Sequence, residues 1–278
     1  MEEFLLSKEV PVRLGFFFGI LVIVGLWELI APKRALTVSK VVRWSNNLGI
    51  VFLNSLVLRV SFPIVAVGMA TYAEQQGWGI LNQLELPRLI AIILAVMLLD
   101  MVIYFQHVMV HAVPLFWRLH RMHHADMDID VTTGARFHPL EILLSMVIKL
   151  GTVTLLGAAP VAVLIFEILL NGTAMFNHGN VKLPRGFDKI LRWLVVTPDM
   201  HRVHHSVIPS EANANFGFNL PWWDRIFMTY QDQPKEGHQG MTIGINAFRS
   251  QREAWLDRMI IQPFKKGGES YNIDGRVR

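Results

Sequence analysis

The chain has 278 residues, of which 52% are apolar and 17% charged; soluble globular domains carry roughly a quarter charged residues, so this balance excludes an ordinary soluble domain and points to a membrane protein. Cysteine is absent, which excludes disulfides, thiolate-ligated clusters or haem, and cysteine-based zinc sites, and leaves nitrogen and oxygen as metal ligands. The net charge of +4 gathers beside the apolar blocks, a pattern of membrane topology and headgroup attraction rather than of nucleic-acid binding.

Met1–Val12 is too acidic for a secretory signal, so the first span is expected to be retained. That span is Leu14–Ala31, closed by Pro32-Lys33-Arg34. A second is expected over Leu48–Thr71, with Arg59 inside it and no role assigned to that residue. A third, Leu89–Phe105, follows Pro87-Arg88 and runs directly into His107. At about 1.5 Å per residue these stretches are long enough, or nearly so, to cross a hydrocarbon core of ~30 Å. Leu140–Leu170 is a fourth apolar stretch, broken by Gly151, Gly157 and Pro160, and suits a helical hairpin or two short spans. Lys33, Arg34, Lys40 and Arg43 lie between the first two spans, whereas the next loop has Arg88 against Glu74 and Glu85. The positive-inside rule then makes the first loop cytoplasmic. Span three delivers His107 and His111 to that face, and the hairpin brings the later histidines back to it. Asp100 stands seven positions before His107 on the same side of a continuous helix, where a carboxylate can orient a ligand imidazole.

Eight of the eleven histidines fall into three groups: His107-x3-His111, His120-x-x-His123-His124 and His201-x-x-His204-His205. Chance at this histidine content gives roughly 0.02 copies of the triad pattern, and two are present. Residues i and i+4 share a helix face, while the second and third histidines of a triad diverge by about 100°. One short helix can therefore supply ligands to two neighbouring metals. Eight imidazoles are also too many for one ion, since a closed zinc site uses only about four ligands. The spacing predicts two metals held close together.

Between Asp100 and Tyr230 the sequence resembles the fatty acid hydroxylase/sterol desaturase superfamily of membrane di-iron oxygenases. The resemblance rests on the three histidine groups, on Pro114-Leu115-Phe116-Trp117-Arg118-Leu119 before the first triad, and on Arg136-Phe137-His138-Pro139-Leu140-Glu141. It continues through Asn177-His178, Thr197-Pro198-Asp199-Met200, Asn215-Phe216-Gly217-Phe218 and Trp223-Asp224-Arg225-Ile226-Phe227. Two positions depart from the pattern: Val108 stands where an arginine is common, and Met228 replaces the usual glycine of a Phe-Gly-Thr-Tyr ending.

The resemblance implies an all-α integral membrane protein, a transmembrane helical bundle with a cytosolic helical cap holding a histidine-rich dimetal site. It implies His107, His111, His120, His123, His124, His201, His204 and His205 as ligands, with His178 at a further ligand position, His138 as an additional candidate and Asp100 behind them. His238 lies outside every motif and is expected in an exposed loop. The implied division is residues 1–88 for two N-terminal spans, 89–232 for the catalytic region and 233–278 for a cytosolic tail. Implied cofactors are two iron ions, for which zinc competes during purification, with O2 as co-substrate. The implied reaction hydroxylates or desaturates a fatty acyl or sterol-like C–H bond beside the bilayer. Trp117, Phe137 and Phe176 are candidate apolar walls. The chain has no dinucleotide fingerprint, so electrons are expected from a separate ferredoxin or similar reductase at the basic cytosolic face. The alternative is a histidine-rich metal- or lipid-binding membrane protein without redox activity, which predicts ligands facing a pore or ligands lost from the set.

Overall fold

The computed structural model describes residues 2–267, so the last part of the expected tail, residues 268–278, lies outside the described residues. Among the described residues the regular structure is helical, with two isolated bridges joining Pro32 to Val181 and Ser206 to Ile243. The elements that build the site are α1 (Glu9–Ile30), α2 (Lys40–Ser61), α3 (Ala66–Gln76), α4 (Arg88–Ala112), α5 (Pro114–His124), α6 (Pro139–Leu156), α7 (Pro160–Asn177), α8 (Arg185–Leu191), α9 (Pro198–His204) and α10 (Trp222–Ile226). Proline opens α5, α6, α7 and α9 at the first turn, where its missing N–H costs nothing and its fixed φ suits the helix.

Among the described residues five helical stretches are long and apolar enough to cross a membrane: α1, the stretch containing α2 and α3, α4, α6 and α7. The chain is thus a multi-pass membrane protein. The expected span Leu48–Thr71 is not continuous. Its helix starts earlier, at Lys40, and stops at Phe62, which is extended at φ −123° and ψ 113°. The cause is Pro63, which bars its predecessor from the helical region and cannot donate to the ladder. Lys40 and Arg43, expected in a loop, form the first turn of α2 instead; Arg59 is exposed near its end. The Leu140–Leu170 stretch resolves into α6 and α7, separated by Gly157 in the left-handed conformation (φ 64°).

α7 is the central helix, with 61% of its span buried against 17% for α1. It packs against α1, α3 and α4. Small residues Ala66, Ala70, Ala95 and Ala162 fill the bundle together with Leu99 and Phe166. Glu167 of α7 is paired at depth with Lys149 of α6 (2.7 Å) and Arg13 of α1 (3.0 Å). At one end of the bundle Arg88 joins Glu2 and Glu74, each at 2.8 Å. The other end carries the histidines.

Candidate metal centre

His107 and His111 occupy the last turns of α4, His120, His123 and His124 lie on α5, and His201 and His204 on α9; His178 and His205 are the residues that close α7 and α9. None of the nine is more than 3% exposed. Their nitrogens converge into two groups. His107, His111, His120, His124 and His204 form one, and His123, His178, His201 and His205 the other, with the ligand atoms within each group no more than 4.8 Å apart. The partition follows helix geometry. Every i, i+4 pair stays together (His107 with His111, His120 with His124, His201 with His205), and the intervening i+3 histidine of each triad crosses to the opposite group.

Five ring orientations are fixed by acceptors. His107 Nδ1 donates to the Phe216 carbonyl at 2.7 Å, His204 Nδ1 to Ala214 at 2.8 Å, His178 Nδ1 to Ala174 at 2.7 Å and His123 Nδ1 to Arg136 at 3.2 Å. His120 Nδ1 donates to the Glu141 carboxylate at 2.6 Å. A carbonyl or carboxylate oxygen only accepts, so each Nδ1 carries the proton and each Nε2 turns a lone pair inward. His178 Nε2 lies 3.1 Å from His123 Nε2, 3.1 Å from His201 Nε2 and 3.2 Å from His205 Nε2. Nitrogens held tetrahedrally at about 2.0–2.1 Å from one ion stand about 3.3 Å from each other, so this spacing suits a shared cation. In the larger group, His107 Nε2, His120 Nε2 and His204 Nε2 are buried without a hydrogen-bond partner, a costly arrangement unless an ion takes the lone pairs. The residues therefore fit a pair of metal ions.

At six of these imidazoles burial favours the neutral form, which is the form that binds metal. It lowers His178 to about 4 and His204 to about 3. Burial and neighbouring imidazoles hold His123, His124, His201 and His205 well below the ordinary histidine range.

Behind the rings lies a buried ionic network that the sequence reading did not identify. Arg43, fully buried, forks onto Asp126 at 3.0 and 2.8 Å, reaches Asp130, and donates to Thr133 Oγ1 at 2.9 Å. Burial alone would raise Asp126, but Arg43 and Arg136 hold it at about 2. Arg136 Nε donates to the Met122 carbonyl of α5 at 3.1 Å, beside the residue whose ring its own carbonyl orients. Gly134 lets this turn rest on α7, since a Cβ there would meet the Ala174 carbonyl oxygen at 2.4 Å. On the opposite side Asp224 accepts from Phe216 N (2.7 Å), Gly217 N (2.9 Å) and Thr229 Oγ1 (2.7 Å), and burial raises it to about 6. The alternation Asp126-x-Asp128-x-Asp130 directly after a histidine pair was the available signal.

Three expectations need correction. Asp100 touches no histidine; its Oδ2 accepts from Trp223 Nε1 at 2.8 Å and Leu220 N at 3.2 Å, pinning the chain after Phe218. His138 lies outside both groups: its Nδ1 caps α6 by accepting from Leu140 N at 3.2 Å, and its Nε2 donates to the Ile260 carbonyl at 3.1 Å, so both ring nitrogens are occupied. His238 is not an exposed loop residue; its side chain is 9% exposed and faces Asp199 at 3.8 Å. Of the aromatic candidates, Trp117 packs on His111 (5.0 Å) and Phe137 stacks flat on His123 (4.6 Å, 11°), whereas Phe176 pairs with Trp27 at 6.4 Å. Phe218, from the Asn215–Phe218 motif, is a further aromatic wall, tilted against His107 at 4.9 Å. Met228 has φ 57°, the left-handed region that glycine enters without cost, which explains why glycine is usual there.

Residues 92–229 match the family model described as fatty acid hydroxylase, and the match contains all nine clustered histidines. The chain belongs to the fatty acid hydroxylase family. An ornithine lipid hydroxylase of Rhizobium tropici is 28% identical over 182 residues, covering 66% of this chain and 53% of the relative. Alkylglycerol monooxygenase of Xenopus tropicalis is 27% identical over 150 residues, 52% of this chain and 31% of that protein. Human cholesterol 25-hydroxylase is 25% identical over 141 residues, half of each. The chain thus spans between about a third and a half of the curated relatives it matches. No solved structure matches it.

Proposed function

We propose that the chain is a membrane-bound di-iron oxygenase that uses O2 to hydroxylate a lipid C–H bond, in a fatty acyl or sterol-like substrate, with desaturation as the alternative outcome of the same hydrogen removal. The observation that carries this reading is the partition of nine buried histidines into adjoining groups of five and four. Its family membership, and relatives named as lipid hydroxylases and monooxygenases, support oxidation of a lipid rather than metal storage.

Bound iron would supply the activation of O2 needed to break an unreactive C–H bond. The protein's part is to hold and shelter. The Nδ1–H bonds to Phe216, Glu141, Arg136, Ala174 and Ala214 fix the rings, and burial excludes water from them. Phe137 and Phe218 meet the histidines on one side and the apolar bundle core on the other. They form the wall against which an acyl chain would lie. Hydroxylation places one oxygen atom of O2 in the lipid and releases the other as water, so a ferredoxin-like donor must deliver two electrons and solvent two protons. We assign the catalytic region to residues 89–232 and the histidine end to the cytoplasmic face, where such a donor is found.

Lipid profiling of cells with and without the protein tests the reaction. A lipid class heavier by one oxygen, or lighter by two hydrogens, is expected; unchanged profiles in iron-replete cells containing the intact protein would reject the oxygenase. Sidedness is tested with Glu236→Cys, at an exposed position in a chain without native cysteine. An impermeant thiol reagent should label it only after permeabilisation, and labelling of intact cells would reverse the topology.

A further inference from the structure

The histidine-bearing end also carries an apolar face that the metal site does not use. It is formed by α8, α10 and the residues that follow each. Ile190 (69% exposed), Trp193 (57%), Leu194 (62%), Ile226 (61%) and Met228 (91%) all project from it. The two segments are one unit: Trp222 Nε1 donates to the Trp193 carbonyl at 2.7 Å, and the Arg225 guanidinium stacks 3.8 Å from the Trp193 ring and 4.0 Å from that of Tyr230. Scattered exposed apolar residues need no explanation, but a contiguous group of large ones marks a partner surface.

Two observations identify the partner as lipid. The first is continuity with a membrane-spanning surface. Phe227 packs against Tyr104 at 5.4 Å and Phe105 at 4.9 Å on α4, and Phe105 is 45% exposed on that span. From Leu89 to Phe105 α4 rises about 24 Å, close to a hydrocarbon thickness of ~30 Å, so the face begins where the bilayer core ends. The second is charge. The exposed charged residues of 182–194 are Lys182, Arg185 and Lys189, and Arg225 is the half-buried one in 222–228; the acids there, Asp188 and Asp224, are buried. Tryptophan beside arginine and lysine, over an apolar surface, is the composition of the headgroup level, and cations there meet anionic phosphates.

We propose that the face made by α8 and α10 lies in the headgroup layer of the bilayer, its apolar side chains in the first part of the acyl region and its cations on anionic lipid. This holds whether or not the metals perform oxygenase chemistry. It would bind the bilayer directly to the ligand shell, because Asp224 of α10 accepts from Phe216 N, and the Phe216 carbonyl accepts from His107 Nδ1.

The absence of native cysteine allows a single environment-sensitive label at Met228→Cys, with Glu236→Cys as the polar reference at the same end. In nanodiscs of phosphatidylcholine and phosphatidylglycerol, the Met228 label should emit further to the blue. Lipids spin-labelled at a shallow acyl position should quench it several-fold more than the Glu236 label, and aqueous iodide several-fold less. Equal iodide quenching at the two positions would overturn the proposal. So would shielding at Met228 from both quenchers that disappears in discs holding one protein each, since the face would then belong to a second copy of the chain.

Discussion

The rings of the five-histidine group are oriented from a carboxylate and from a loop. Glu141 holds His120, while Phe216 and Ala214 hold His107 and His204. In the four-histidine group no carboxylate among the described residues takes that place: His123 and His178 are oriented by the main-chain carbonyls of Arg136 and Ala174. Their rigidity comes from one layer further back, where Arg43 of α2 joins Asp126 and Asp130. Neighbouring histidines on the same short helix are thus supported in different ways. A carboxylate behind an imidazole sets a charge next to the ring that would bind metal, whereas carbonyls backed by an ionic network mainly fix position. The same sequence motif therefore builds one histidine group backed by a carboxylate and one backed by main-chain carbonyls and an ionic network.

The larger expected effect is on the architectural side. Arg43→Ala leaves buried Asp126 and Asp130 with only the more distant Arg136, 3.9 Å from Asp126, and should destabilise the folded protein by about 3–5 kcal/mol, seen as a lowered unfolding temperature in detergent. Arg43→Lys keeps the charge but loses the two-pronged contact and should fall between the two. A neutral Arg43→Ala would show that the network does not support the four-histidine group. On the other side, Glu141→Gln should weaken metal binding by about 10–100-fold at the five-histidine group alone. Metal titration should then resolve one weakened and one unchanged site; equal weakening of both would mean that Glu141 supports the two groups alike.

The histidine groups were legible because i, i+3 and i+4 spacing determines which rings share a face, and that rule alone sorts His123 from His124 and His204 from His205. The apolar blocks likewise marked the spans. What could not be read was what each polar residue meets across the fold. Arg43 reads as a topological charge in a basic loop, yet it is buried against residues more than eighty positions away. Asp100 has the helical register to reach His107, but the Trp223 indole and the Leu220 amide reach it first. His138 sits in a motif with a histidine's usual promise and serves as a helix cap. Pro63 was visible, but an apolar run around it masked the break it imposes on the second span.

The central claim is that these nine histidines hold two metal ions, and metal content per chain tests it most directly. Protein purified anaerobically from iron-replete cells should contain about two iron ions, or two zinc ions after exchange. His204→Ala, which removes a ligand from the five-histidine group, and His178→Ala, which removes one from the other, should each lower the count to about one and abolish lipid oxidation. A single metal per chain in fully active protein, or variants that keep the full count and turnover, would contradict the account.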